Sequence, residues 1–127
     1  MDSPTLRLAG VVSAGGVLGA LARYAIGVAW PHAPAAFPWA TWTINISGCF
    51  LIGVLVTSLD RWRPHQHYVR PFLGVGVLGG YTTFSTSIVD LQHAAPAVAL
   101  AYLAASVAGA MIAVWAGSAL ADLGRPR

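Results

Sequence analysis

Gly79-Gly80-Tyr81-Thr82-Thr83-Phe84-Ser85-Thr86-Ser87 is the stretch that decides how this chain folds. It sits inside an uncharged run from about residue 71 to 89, and about 20 apolar residues carry a helix across a bilayer. Gly74, Gly76, Gly79 and Gly80 lead directly into the hydroxyl residues, and glycines, hydroxyl and β-branched residues are all weak helix formers. Composition leaves two readings. In one the helix breaks at mid-membrane, and protein or a water-filled cavity receives the freed N–H and C=O groups. In the other a Gly-rich helix stays intact, its hydroxyls bonded back to their own carbonyls. A break would free carbonyl oxygens able to hold a hard cation with no carboxylate.

The rest of the chain is consistent with a membrane setting. Of 127 residues, 57% are hydrophobic and 9% charged, and the mean hydropathy is +0.67, far above that of a water-soluble domain. The seven basic residues are all Arg and the four acidic ones all Asp, leaving further uncharged runs at about 8–22, 24–59 and 91–121. Low charge excludes disorder, and the single Cys49 excludes a disulfide scaffold. A pI near 9.6 does not indicate nucleic acid, because the Arg residues flank apolar runs and form no stripe with interleaved aromatics. Arg7 followed by an apolar stretch and Ala20-Leu21-Ala22 imitates a cleavable signal peptide. Asp2, apolar character continuing to Trp30 and three further hydrophobic spans argue against one.

The expected architecture is an all-α integral membrane protein, a single domain of four transmembrane helices at about 6–30, 39–59, 71–91 and 96–121. Pro31 and Pro34 end the first, Pro38 precedes the second, Asp60 to Pro64 end it, and Pro71 and Pro96 open the third and fourth. Arg7, Arg61, Arg63, Arg70, Arg125 and Arg127 then share one side, with only Arg23, near the end of the first helix, toward the other. The positive-inside rule makes that side, with both termini, cytoplasmic and predicts insertion one way round.

Small residues mark where helices approach closely: Gly15 and Gly19 form a GxxxG, and Ala101, Ala105, Gly109, Ala113, Gly117 and Ala121 recur at every fourth position. Packing within the chain and contact with a second subunit are both open for that ridge. Asn45 lies mid-membrane with Thr41 one turn before it, and Tyr102 and Ser106 are one turn apart on the fourth helix. Each pair is either interhelical glue or part of a polar track. Arg23 is expected to snorkel to the interface, and Asp90 to be a solvated helix end. His32, His65, His67 and His93 fall in loops and make no convincing metal site. No catalytic set is visible, so an enzyme is not expected. Neutral donors and aromatic edges, which carry partial positive charge, suit a strongly hydrated small anion.

At this point the motifs resemble a known family. Gly79-Gly80-Tyr81-Thr82-Thr83-Phe84-Ser85-Thr86 is similar to the GGxTTFSTF signature of the Fluc/CrcB fluoride channels, and Gly15 to Tyr24 and Asn45 to Phe50 match in order. The resemblance runs from Gly15 to about Ser106. It implies passive fluoride export that protects against fluoride toxicity, through an antiparallel, dual-topology dimer in the bacterial plasma membrane. It also implies a structural sodium ion on the backbone carbonyls of Gly79 and Thr82, with Asn45 as the pore amide and Phe84 as the first pore-lining aromatic. Thr41, Thr83, Tyr102 and Ser106 correspond to the polar track, and Asp90 to an acidic position soon after the motif.

One position departs from the signature: Ser87 stands where its second phenylalanine would be. Family members are dual-topology homodimers or pairs of homologous subunits of opposite, fixed orientation. Ser87 and the Arg bias together favour a heterodimer over a homodimer. Two rivals remain at this stage. A small drug/proton antiporter needs a membrane-embedded carboxylate, absent here from the first two helices, and a non-conducting assembly subunit would be favoured by an intact third helix.

Overall fold

The computed structural model describes residues 3–62 and 66–124. Asp2, Arg63, His65, Arg125 and Arg127 lie outside the described residues. Four helical spans are long and apolar enough to cross a membrane. α1 covers Ser3–Ala29 and α2 covers Trp39–Trp62, continuing past the expected end at Leu59. The third span starts as a π-helix over Arg70–Leu78, tightens into a single α-helical turn, α3 (Gly79–Tyr81), and restarts as α4 (Ser85–His93). α5 covers Pro96–Leu123.

The third span is therefore interrupted in the middle, as the first of the two readings required, and within the stretch from about Gly79 to Phe84 where weak helix formers crowd together. Gly79 and Gly80 are helical, and the interruption falls on Thr82-Thr83-Phe84, with Thr82 extended at ψ 156°. The glycines serve another purpose. A Cβ on Gly15 would lie 2.5 Å from the Phe72 carbonyl oxygen and 3.0 Å from the Gly76 Cα; one on Gly19 would overlap the Val77 carbonyl; one on Gly80 would overlap the Gly16 carbonyl. The α1 backbone thus lies directly against the first half of the third span, an approach that only glycines permit. Widening to π geometry, in which the Gly79 N–H reaches back to Gly74 O, accompanies this close contact.

The other half of the fold is the pair α2 and α5. A Cβ on Gly53 would overlap the Val114 carbonyl, and one on Gly117 the Phe50 carbonyl, while at Gly109 it would sit 2.9 Å from Ile46 Cδ1. Ala113 and Gly117 are buried in this seam. The every-fourth ridge of α5 is accordingly an intrachain surface from Gly109 through Gly117, with Ala101 left exposed beyond its end. α4 is held far less, touching α2 and α5 lightly.

Ion pairs mark the ends. Arg61 meets Asp122 at 2.6 Å and Arg70 meets Asp60 at 2.5 Å, so the ends of α2 and α5 and the start of the third span share one side. Arg7 lies on that side too, lining one groove with Tyr68 and Phe72. The Arg61 and Arg70 charges on this side are thus neutralised by neighbouring carboxylates. That does not weaken the orientation argument, because the positive-inside rule counts Arg and Lys rather than net charge.

Candidate functional site at the break in the third span

Backbone hydrogen bonding along the third span runs as far as Thr82 N–H to Leu78 O (3.0 Å) and resumes with Ile88 N–H to Phe84 O (3.0 Å). Mid-membrane groups left between them need partners. Asn45, projecting from α2, supplies them for Thr83: its Oδ1 accepts the Thr83 N–H at 2.8 Å, and its Nδ2 donates to the Thr83 carbonyl at 2.9 Å. The second Nδ2 hydrogen goes to Ser87 Oγ at 3.0 Å. Both donor hydrogens of Asn45 are engaged, and the amide acts as a splint across the interruption.

Ser87 is the second hub. It is buried, donates to the Thr83 carbonyl at 3.0 Å, and accepts from Asn45 and from the Tyr102 hydroxyl, the latter at 2.9 Å. A phenylalanine here could make none of these bonds, so Ser87 is an integrated part of the break. Thr83 Oγ1 receives the Thr86 N–H at 3.2 Å and donates to Thr86 Oγ1 at 3.0 Å, so a residue just before α4 satisfies one N–H of its first turn. On the far side Ser47 Oγ and Tyr81 OH are 2.9 Å apart, a link between α2 and α3 that neither residue's spacing announces.

Two readings of polar residues need correction. Arg23 does not snorkel to the interface; its Nε donates to the Gly80 carbonyl at 3.1 Å, a group the break has released from helical bonding. Asp90 is not a solvated helix end. It accepts from Thr41 Oγ1 at 2.6 Å and faces His32 Nε2 at 3.6 Å, its side chain 12% exposed. In both cases tertiary packing brings in a partner that position along the helix does not reveal.

Thr83 borders two grooves. One, of about 450 Å³, is flanked by Asn45, Thr83, Phe84, Ser87, Tyr102 and Ser106, with apolar walls. The other, of about 250 Å³, includes Arg23, Thr41, Thr83 and Thr86. The expected track residues therefore divide between two sides, Thr41 lying apart from Tyr102 and Ser106. Phe84 is 80% exposed, an aromatic ring standing free at the rim of the larger groove.

Among the described residues no cluster of three or more His, Cys, Asp or Glu is poised for a metal. Oxygen donors of a different kind are present. The Thr83 N–H that would close a helical turn on Gly79 goes to Asn45 instead, so the Gly79 carbonyl loses its helical donor. The extended Thr82 turns its own carbonyl out of the ladder. Neutral carbonyl oxygens suit a hard cation, although the Gly80 carbonyl between them is already taken by Arg23.

These features define a multi-pass helical membrane protein with an interrupted span and a neutral, hydrogen-bonded polar centre. Residues 10–118 match the family described as CrcB-like protein, Camphor Resistance (CrcB), and the chain belongs to that family. Among curated relatives, it is 51% identical over 112 residues to the fluoride-specific ion channel FluC 2 of Thermobifida fusca, covering 84% of this chain and 82% of the relative. It is 50% identical over 102 residues to the FluC 2 of Streptomyces avermitilis, covering 76% and 64%. Against the fluoride-specific ion channel FluC 1 of Streptomyces coelicolor it is 47% identical over 109 residues, covering 83% and 71%.

Proposed function

We propose that this protein is a fluoride-specific channel that carries fluoride passively out of the cytoplasm and so limits fluoride toxicity. It is not an enzyme. Membership of the CrcB family, with relatives named as fluoride-specific ion channels, is the observation that carries the reading. Its chemistry is coherent: HF enters cells as a neutral weak acid and ionises in the more alkaline cytoplasm, leaving fluoride that needs a protein path out. The neutral donors at the break support that use, since N–H and O–H groups replace part of a small anion's water shell without trapping it.

Within that reading, fluoride passes Asn45, Thr83, Tyr102 and Ser106, with the edge of Phe84 presenting partial positive charge. Thr41 belongs to the approach from the Asp90 side. An anion reaching Asn45 competes with Ser87 Oγ and the Thr83 carbonyl for the amide hydrogens. The carbonyls of Gly79 and Thr82 would hold a structural sodium ion, which would supply a fixed positive charge near the path.

The channel is a dimer with an antiparallel homologous subunit in the bacterial plasma membrane, both termini of this chain being cytoplasmic. The free-standing Phe84 and the lightly held α4 support a partner on that face. A heterodimer is favoured over a homodimer by the one-sided arginines and by Ser87, which leaves two identical copies without a second aromatic. The reading is tested by fluoride tolerance in a bacterial strain lacking its own fluoride exporter. Growth returns when the chain is expressed with its homologous partner, and sensitivity persisting with every candidate partner contradicts the proposal.

A further inference from the structure

Away from the break, α1 and the start of the third span enclose an open groove of about 590 Å³, lined by Arg7, Gly10, Val11, Ala14, Tyr68 and Phe72. None of these residues borders the Phe84 groove. Three of the described arginines have partners: Arg23 on the Gly80 carbonyl, Arg61 on Asp122 and Arg70 on Asp60. Arg7 meets no carboxylate among the described residues, and it stands at this groove. Below it nothing lies within 4 Å of where a Gly10 Cβ would be, so the wall of α1 is open there.

We infer that this groove binds an anionic phospholipid, the phosphate on Arg7 and the Tyr68 hydroxyl, an acyl chain along Val11, Ala14 and Phe72. Charge complementarity selects the headgroup: a guanidinium pairs with phosphate in two parallel hydrogen bonds. Tyr68, half exposed, has the amphipathic form typical of side chains at headgroup depth. The apolar wall selects a lipid over a dissolved anion. Arg7 and Ala14 are separated by about 10 Å along the helix, roughly a third of the hydrocarbon core, and the α1 residues that line the groove between them, Gly10 and Val11, carry no polar side chain. A free phosphate gains nothing from that surface.

The test uses the full chain purified in a neutral detergent, in whatever oligomer it forms. Phosphatidylglycerol, phosphatidylcholine with the same acyl chains, or inorganic phosphate is added, and melting temperature and native mass are recorded. Phosphatidylglycerol raises the melting temperature by several degrees more than phosphatidylcholine and is retained as a bound adduct. Inorganic phosphate gives no such shift. Arg7→Gln brings the phosphatidylglycerol response down to that of phosphatidylcholine, Ala14→Trp, which fills the groove and keeps the charge, does the same, and Arg61→Gln leaves the difference intact. Equal responses to the two lipids, a full response in Arg7→Gln, or a phosphate shift equal to the lipid's overturns the inference. Adducts found on monomers but missing from dimers also overturn it, since a second subunit would then occupy the groove.

Discussion

The side chain of Asn45 holds the backbone of Thr83 from both sides, accepting its N–H at 2.8 Å and donating to its C=O at 2.9 Å. One amide thus does for Thr83 what two helical neighbours would have done in an unbroken span. The interruption persists at mid-membrane because a residue on another helix supplies the missing bonds, with Ser87 completing the set.

Asn45→Leu removes the splint and leaves the Thr83 N–H and carbonyl short of partners, at a cost of about 1–3 kcal/mol for each group left unsatisfied. Asn45→Asp keeps the bond from the Thr83 N–H but sets a carboxylate against the Thr83 carbonyl and any arriving anion. Both variants are expected to insert and to lose fluoride efflux, measured with a fluoride electrode on proteoliposomes. Efflux at the wild-type rate would remove Asn45 from the path.

Ser87 and Tyr102 act as a unit, since the Tyr102 hydroxyl donates to Ser87 Oγ at 2.9 Å in a buried setting. Ser87→Ala and Tyr102→Phe are each expected to destabilise by about 1 kcal/mol. The double variant should lose clearly less than the sum, as contacting residues do in a double-mutant cycle. Additive losses in thermal melting would show that the hydrogen bond contributes nothing.

Glycines should sort by what their missing side chains would strike. Gly19→Ala and Gly117→Ala drive a methyl into the Val77 and Phe50 carbonyls and are expected to cost at least about 1–3 kcal/mol each. Gly10→Ala and Gly27→Ala meet nothing within 4 Å and should leave melting unchanged or raise it slightly. Equal effects in the two pairs would contradict the backbone-on-backbone packing.

Much of this arrangement is legible in one sequence. Uncharged runs bounded by prolines mark the four spans, and the residues from Gly79 to Ser87 announce an interruption. Its cause is not legible there: weak helix formers crowd the whole segment, and Asn45, which holds the Thr83 backbone at the break, is distant in sequence. The every-fourth ridge of α5 is equally visible, but periodicity says that a surface is smooth, not that Ile46 and Phe50 of α2 are what lie against it. Arg23 and Asp90 depart from their expected settings for the same reason. Position near a helix end suggests water, whereas the Gly80 carbonyl and Thr41 arrive through packing.

Orientation is tested by a reporter fused to the C-terminus. It should report the cytoplasm in nearly all molecules, and moving the Arg61, Arg63 and Arg70 charges to the loop at 31–38 should give mixed insertion. Equal amounts of both orientations in the unaltered protein would return the homodimer to first place.

The most direct test of the central claim is ion efflux from liposomes loaded with potassium fluoride or potassium chloride, with valinomycin to balance charge. With the chain and its homologous partner reconstituted together, fluoride should leave rapidly while chloride stays inside, and Asn45→Leu should abolish the fluoride signal in a dimer whose other path is blocked. Chloride leaving as fast as fluoride, or fluoride retained by the correctly inserted pair, would contradict a fluoride-specific channel.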